Sequence, residues 1–220
     1  MALTREEIAR RIALDLPDGC YVNLGVGIPT LVADYLPPER EIILHSENGI
    51  LGMGPAPAEE ERDPDLVDAG KEPVTLLPGA AIFHSADSFA MLRGGHIDIA
   101  VIGAFQVSEV GDLANWRLPG ATLAGVGGAA DIAVGARQVF VAMNHVTSEG
   151  QPKIVRECSY PLTARRVVKR IYTDLAVIEV TPEGLRLLEV APGVTVAEVQ
   201  AQTEPFIKEA GLPGSNLSSG

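Results

Sequence analysis

The sequence predicts an α/β protein: an open, mostly parallel sheet with helices on both faces and an antiparallel edge. Three observations carry that reading. Short apolar or nearly apolar runs, among them residues 97–102, alternate with segments of helical spacing, the pattern of βαβ units. Two strand-to-helix junctions are rich in glycine, Gly25-Val26-Gly27 and Gly125-Val126-Gly127-Gly128. Late runs at 175–180 and 185–190 flank the turn Thr181-Pro182-Glu183-Gly184 and supply the antiparallel edge. The chain has 220 residues, 46% of them hydrophobic, enough to bury roughly 70% of its unfolded surface. One domain is expected over residues 1–212, with a polar, glycine-rich tail at 213–220 that reads as disordered.

Each element has a local cause. Thr4-Arg5-Glu6-Glu7 is a capping box, and Ile8, Ile12 and Leu16 recur every four residues, so an amphipathic helix opens the chain. Pro17-Asp18-Gly19 turns it into a strand at 20–24. The Gly25 loop leads into a helix ending near Pro37-Pro38. Residues 41–44 form a second strand, followed by a polar turn and an uncharged glycine loop at 49–57. The acidic run at 59–65 is expected on the surface. Residues 85–92 form a helix closed by Gly94-Gly95. Residues 97–102 form a central parallel strand buried on both faces. A helix of small residues at 129–136 and a strand at 138–143 follow the second glycine loop. Thr195-Val196-Ala197-Glu198 caps a last helix.

Composition excludes several functions. The formal net charge is −12 and no basic stripe is present, which argues against nucleic acid. No uncharged stretch approaches the ~18 residues needed to span a membrane, and the polar N-terminus has no signal-peptide pattern. Cys20 and Cys158 are isolated, which fits a reducing cytoplasm rather than a disulfide framework. His45, His84, His96 and His145 lack metal-ligand spacing, so no metal site is expected. Gly25-x-Gly27-x-x-Thr30 lacks the third glycine of a dinucleotide fingerprint and reads better as a tight strand-to-helix turn. No GxSxG elbow occurs. Cys158 reads as a buried, inert thiol before it reads as a nucleophile.

The informative stretch is Leu44-His45-Ser46-Glu47-Asn48-Gly49-Ile50-Leu51-Gly52. It puts Glu47 just past the carboxyl end of a strand, where open α/β sheets bind ligands. A turn carboxylate or helix cap is the alternative role for such a residue.

That stretch resembles the active-site signature of the β subunit of family I coenzyme A transferases, the 3-oxoacid CoA-transferase type. Further blocks resemble the family in order along residues 5–208: Val22-Asn23-Leu24-Gly25-Val26-Gly27-Ile28-Pro29, Ser85-Ala86-Asp87-Ser88-Phe89-Ala90-Met91, Arg93-Gly94-Gly95-His96, Gly111-Asp112-Leu113-Ala114-Asn115-Trp116, Gly125-Val126-Gly127-Gly128-Ala129 and Asp174-Leu175-Ala176-Val177. Asn144 and Ala164 depart from residues usual in relatives. The resemblance implies CoA transfer from an acyl-CoA such as succinyl-CoA to a 3-oxoacid such as acetoacetate, with 3-oxoadipate or short fatty acids as alternatives. Glu47 would be the nucleophile, through glutamyl anhydride and glutamyl-CoA intermediates. The Gly128 amide, or that of Gly127, would bind the oxyanion; close helix packing is the alternative role for these glycines. Ser46 and Asn48 would fix the carboxylate, and Gly25, Gly27 and Gly49 would line the substrate. No tightly bound cofactor is implied, since coenzyme A is substrate and covalent intermediate. The expected partner is an α subunit in an α2β2 assembly. A binding or regulatory subunit without catalysis and a sugar-phosphate isomerase-like enzyme remain the alternatives.

Overall fold

A computed structural model describes residues 2–118, 120, 125 and 127–209. The tail expected at 213–220 and Val126 of the second glycine loop lie outside them. The strands are β1 (Tyr21–Leu24), β2 (Ile43–Ser46), β3 (Ile50–Met53), β4 (Leu76–Ile82), β5 (Ile99–Ile102), β6 (Gln106–Ser108), β7 (Leu113–Ala114), β8 (Gln138–Ala142), β9 (Ile154–Val155), β10 (Val168–Tyr172), β11 (Ala176–Thr181), β12 (Gly184–Val190) and β13 (Ile207–Glu209). The helices are α1 (Arg5–Asp15), α2 (Ser85–Arg93), α3 (Ala129–Gly135) and α4 (Val196–Ala201). The main sheet runs β13-β12-β11-β10-β8-β5-β1-β2-β3-β4, and β7-β6-β9 form a small second sheet.

The middle of the main sheet is parallel. β10, β8, β5, β1 and β2 pair side by side in one direction, so their carboxyl ends share one edge. The central strand expected at 97–102 is β5, with all four residues buried. Ile99 and Val101 join one core with Ile8 and Ile12 of α1. Ala100 and Ile102 join the other with Leu92 of α2 and Ile132 of α3. Alternation of period two therefore feeds two cores, which is why the strand is apolar throughout. Each large buried side chain contributes roughly 1.5–3 kcal/mol. Helices cover both faces, as expected.

The capping box of α1 is formed. The Glu7 N–H donates to Thr4 Oγ1 (3.2 Å), and the Thr4 N–H donates to Glu7 Oε2 (2.7 Å). Thr195 and Glu198 repeat it at α4. The helix expected after the Gly25 loop is a 3-10 helix, Pro29–Tyr35, with proline at its first position. The acidic run is exposed. Among the described residues no helix is long and apolar enough to cross a membrane.

Two expectations need correction. The uncharged loop expected at 49–57 is in its first half strand β3, because positive φ at Gly49 (126°) turns β2 straight back on itself. The sheet is also antiparallel at both sides: β11 pairs antiparallel with β10 and β12, and β3 with β2 and β4. The expected hairpin is internal, since β13 adds outside β12 in parallel.

Candidate active site

Glu47 is the first residue past β2, in a three-residue turn. Gly49 closes that turn. Its N–H donates to the Ser46 carbonyl (3.0 Å), and its own carbonyl accepts from the Phe83 N–H (3.0 Å). A Cβ at Gly49 would stand 2.1 Å from the Phe83 carbonyl oxygen. Glycine is therefore required there, and the turn is bolted to the entry of α2. Gly49 is buried, so its contribution is the turn geometry.

The Glu47 carboxylate is held by a residue that sequence reasoning gave no role. The Asn23 amide nitrogen donates to Glu47 Oε2 at 3.1 Å. Asn23 is fully buried on β1, in register with His45 on β2. Its amide nitrogen also lies 3.1 Å from His45 Nδ1 and 3.3 Å from the His45 carbonyl. A carboxylate and a carbonyl both accept, so the amide nitrogen must face them; with Nδ1 assigned as a third acceptor, one of its two N–H groups is shared. Nε2–H then donates to Ser88 Oγ (3.1 Å), and the Ser88 hydroxyl donates to the Ser46 carbonyl (3.3 Å). One hydrogen-bonded chain runs from Glu47 through Asn23, His45 and Ser88 back to the residue before Glu47. Burial pushes His45 down to about 4, which keeps the ring neutral, with one nitrogen an acceptor and the other a donor. Among the described residues Glu47 Oε1 has no partner, so one carboxylate oxygen is anchored and the other is free.

Ser46 and Asn48 do not fix the carboxylate. Ser46 Oγ accepts from the Ala69 N–H (3.0 Å), and the Asn48 amide donates to the Val67 carbonyl (2.7 Å). Both side chains reach across to the segment at 67–69 and latch it beside the Glu47 turn. Asn23, from the neighbouring strand, takes the place assigned to them.

The second glycine loop meets the site through α2. Gly128 caps α3, and a Cβ there would lie 2.8 Å from the Phe89 ring. Phe89 follows Ser88, the hydroxyl that binds the Ser46 carbonyl. Close packing thus accounts for Gly128. Gly127 takes positive φ (54°), and among the described residues no atom comes within 4 Å of where its Cβ would stand. The Gly25 N–H donates to the Val101 carbonyl (2.8 Å), and its own carbonyl accepts from the Thr30 hydroxyl (3.1 Å). Gly27 also has positive φ (98°).

A cleft of about 1100 Å³ opens at the same sheet edge. Residues following β1, β5 and β8 line it, among them Val26, Gly103, Phe105, Met143 and Asn144. A smaller cavity of about 370 Å³ lies beyond the Gly27 loop, against Met53 and Asp68. Glu47 lies in neither lining, but Val26 borders both, and Val26 follows the strand that carries Asn23. Burial pushes both thiols up to about 11, so neither is a thiolate at neutral pH. Among the described residues no three His, Cys, Asp or Glu side chains gather as a metal site.

This arrangement can present one aimed, half-buried carboxylate to an electrophile. The sequence matches the Coenzyme A transferase family over residues 5–202. It is 60% identical over 208 residues to the B-type subunit of the 3-oxoadipate CoA-transferase of Pseudomonas putida, covering 94% of this chain and 97% of the relative. It is 49% identical over 200 residues to the B-type subunit of the succinyl-CoA:3-ketoacid coenzyme A transferase of Helicobacter pylori, covering 91% and 96%. Among solved structures, an acyl-CoA transferase of Escherichia coli O157:H7 has the same fold, with a TM-score of 0.72 at 20% identity. The match covers 96% of this chain and 44% of that one, so this chain spans less than half of the longer protein. The chain belongs to the coenzyme A transferase family, as a subunit of the B type.

Proposed function

We propose that this chain carries the nucleophile of an enzyme that moves coenzyme A from an acyl-CoA to a 3-oxoacid, and that the nucleophile is Glu47. The observation that carries the reading is the asymmetry of its carboxylate at the carboxyl edge of the parallel strands: Oε2 is anchored by Asn23, and Oε1 has no partner among the described residues. Glu47 Oε1 attacks the thioester carbonyl, and the CoA thiolate leaves, giving a mixed anhydride. The thiolate attacks the Glu47 carbonyl of that anhydride and releases the donor acid as its carboxylate, leaving a Glu47–CoA thioester. The acceptor carboxylate attacks that thioester and displaces the thiolate. The thiolate finally attacks the acyl carbonyl of the new anhydride, which frees Glu47 and the new acyl-CoA. Each intermediate stays near the energy of the starting thioester, which a serine ester would not. The sequence is ping-pong.

The oxyanion of each tetrahedral intermediate needs a donor. The Gly128 and Gly127 amides are assigned that role from the family resemblance; one such donor is worth roughly 10² to 10³ in rate. The Gly25 and Gly27 loop is assigned a wall of the substrate site. No tightly bound cofactor enters any step.

The acceptor is favoured as 3-oxoadipate over the acetoacetate expected first, because the relative at 60% identity is named for it and the one at 49% for a 3-ketoacid. Relatives named as the B-type member of their enzymes imply an A-type counterpart, and an α2β2 complex is the assembly we favour. Two free, separated cysteines favour the cytoplasm. The experiment is an acid-exchange screen of the chain with its A-type partner. Exchange should need both chains and vanish in Glu47→Ala with the fold intact. An active Glu47→Ala enzyme ends the proposal.

A further inference from the structure

We propose that Arg5 and Lys153 form an anion subsite in the cleft at the sheet edge that also carries Glu47, and that it takes the free carboxylate of a dicarboxylic acyl chain. This rests on the acyl-transfer reading of Glu47 and adds to it the residues that select the acid.

Both side chains line the 1100 Å³ cleft. Among the described residues neither makes a salt bridge or a side-chain hydrogen bond. Unlike the other bases without such a partner, these two share the lining of one cleft. The Arg5 guanidinium sits over the Gly27 loop: a Cβ on Gly27 would be 3.7 Å from one of its nitrogens. Lys153 is tied beside the end of β8, where its N–H donates to the His145 carbonyl (3.1 Å). Burial lowers its ammonium to about 8, against the pull of Asp174. An anion beside it would relieve that desolvation.

The two carboxylates of the cleft are otherwise engaged. Asp174 Oδ1 accepts from the His145 N–H (2.6 Å), and Glu149 accepts from the Ser148 hydroxyl (2.8 Å). The walls of the cleft include Phe105, Met143 and Val26, suited to a methylene chain.

Scale agrees with the assignment. In sheet order Glu47 follows β2 and Lys153 lies by the end of β8, three strand spacings apart, or about 14 Å. The Glu47 side chain, a six-carbon acyl chain and the Lys153 side chain fill that span between them. A monocarboxylic acid spends its only carboxylate at Glu47 and leaves the two cations unmatched. A site built around unmatched polar groups discriminates most strongly against a ligand that lacks their partner.

The test compares acids in the complex with the A-type partner, using acetyl-CoA as donor. Lys153→Met and Arg5→Met should each lower kcat/KM for 3-oxoadipate roughly 10- to 100-fold through KM, and change it less than about twofold for acetoacetate. Lys153→Arg should restore most of the loss. Equal losses for both acids overturn the subsite. A raised KM for the acyl-CoA, whatever the acid, also overturns it and hands the cations to the CoA phosphates. A wild-type complex that exchanges no acid at all defeats the transferase reading instead. The subsite is then judged by direct calorimetry: adipate should bind the wild type more tightly than pentanoate does, and lose that margin in Lys153→Met. Equal binding of the two acids refutes it.

Discussion

Replacing Asn23 by alanine separates aiming from mere packing at Glu47. The substitution removes the amide that donates to Glu47 Oε2 at 3.1 Å and faces His45 Nδ1 at 3.1 Å. A hydrogen bond to a charged group is worth about 1.5–3 kcal/mol. If it fixes the attacking geometry, kcat/KM and kcat should fall together by roughly 10- to 150-fold, at 1.36 kcal/mol per factor of ten. The same change strands a buried imidazole nitrogen, at about 1–3 kcal/mol of stability. For a chain of this size that lowers Tm by about 2–12 °C. The assay pairs steady-state acid exchange with thermal unfolding on one preparation. Asn23→Asp sharpens the test by setting a second carboxylate against Glu47, where two adjacent charges cannot both persist; activity should fall further and its pH profile should shift. An Asn23→Ala complex with wild-type kcat/KM and a lowered Tm would refute the aiming role and leave Asn23 a core residue.

The remaining expectations concern stability. Gly49→Ala adds a methyl at φ 126°, with its Cβ 2.1 Å from the Phe83 carbonyl, and should cost more than about 3 kcal/mol. Gly79→Ala has φ 90° but open space, so strain alone should cost about 1–2 kcal/mol. Equal losses in denaturant unfolding would mean that the Phe83 contact does not fix the turn. Burial also lowers His45 and His145 from 6.5 to about 4. In acid the unfolded chain takes up protons first, so stability is full above pH 6.5 and drains as pH falls toward 4. The loss should reach about 3 kcal/mol per histidine. Urea unfolding from pH 7 to 4 measures it, and flat stability across that window would show the rings are not held neutral.

Elements whose cause is local were legible in the sequence. The Thr4 and Thr195 boxes, the continuous apolar run of β5 and the turn between β11 and β12 each declare themselves within a few residues. What escaped was decided across the chain. β3 contains Gly52 and lay inside the expected loop, while β4, which had no expectation, contains Pro78 and Gly79, residues that break a strand pattern; β4 tolerates them because it lies at the sheet edge. β10 hides behind Lys169 and Arg170, and Arg170 is half-buried only because Asp15, 155 residues away, accepts from it (2.7 Å). The site divides in the same way. Glu47 was legible because a strand and a glycine turn frame it. Its anchor was not, because Asn23 meets His45 only through the parallel register of β1 on β2. The signal available was a polar residue inside the apolar run Tyr21-Val22-Asn23-Leu24. Ser46 and Asn48 are next to Glu47 in sequence, yet their side chains turn toward the segment at 67–69.

Mixing the two-chain complex with donor acyl-CoA and no acceptor bears most directly on whether this one carboxylate becomes the carrier. Digestion and mass spectrometry should find coenzyme A in thioester linkage on the peptide that contains Glu47, released by hydroxylamine and absent from Glu47→Ala. Labelling of Cys158, or of no residue, would contradict it.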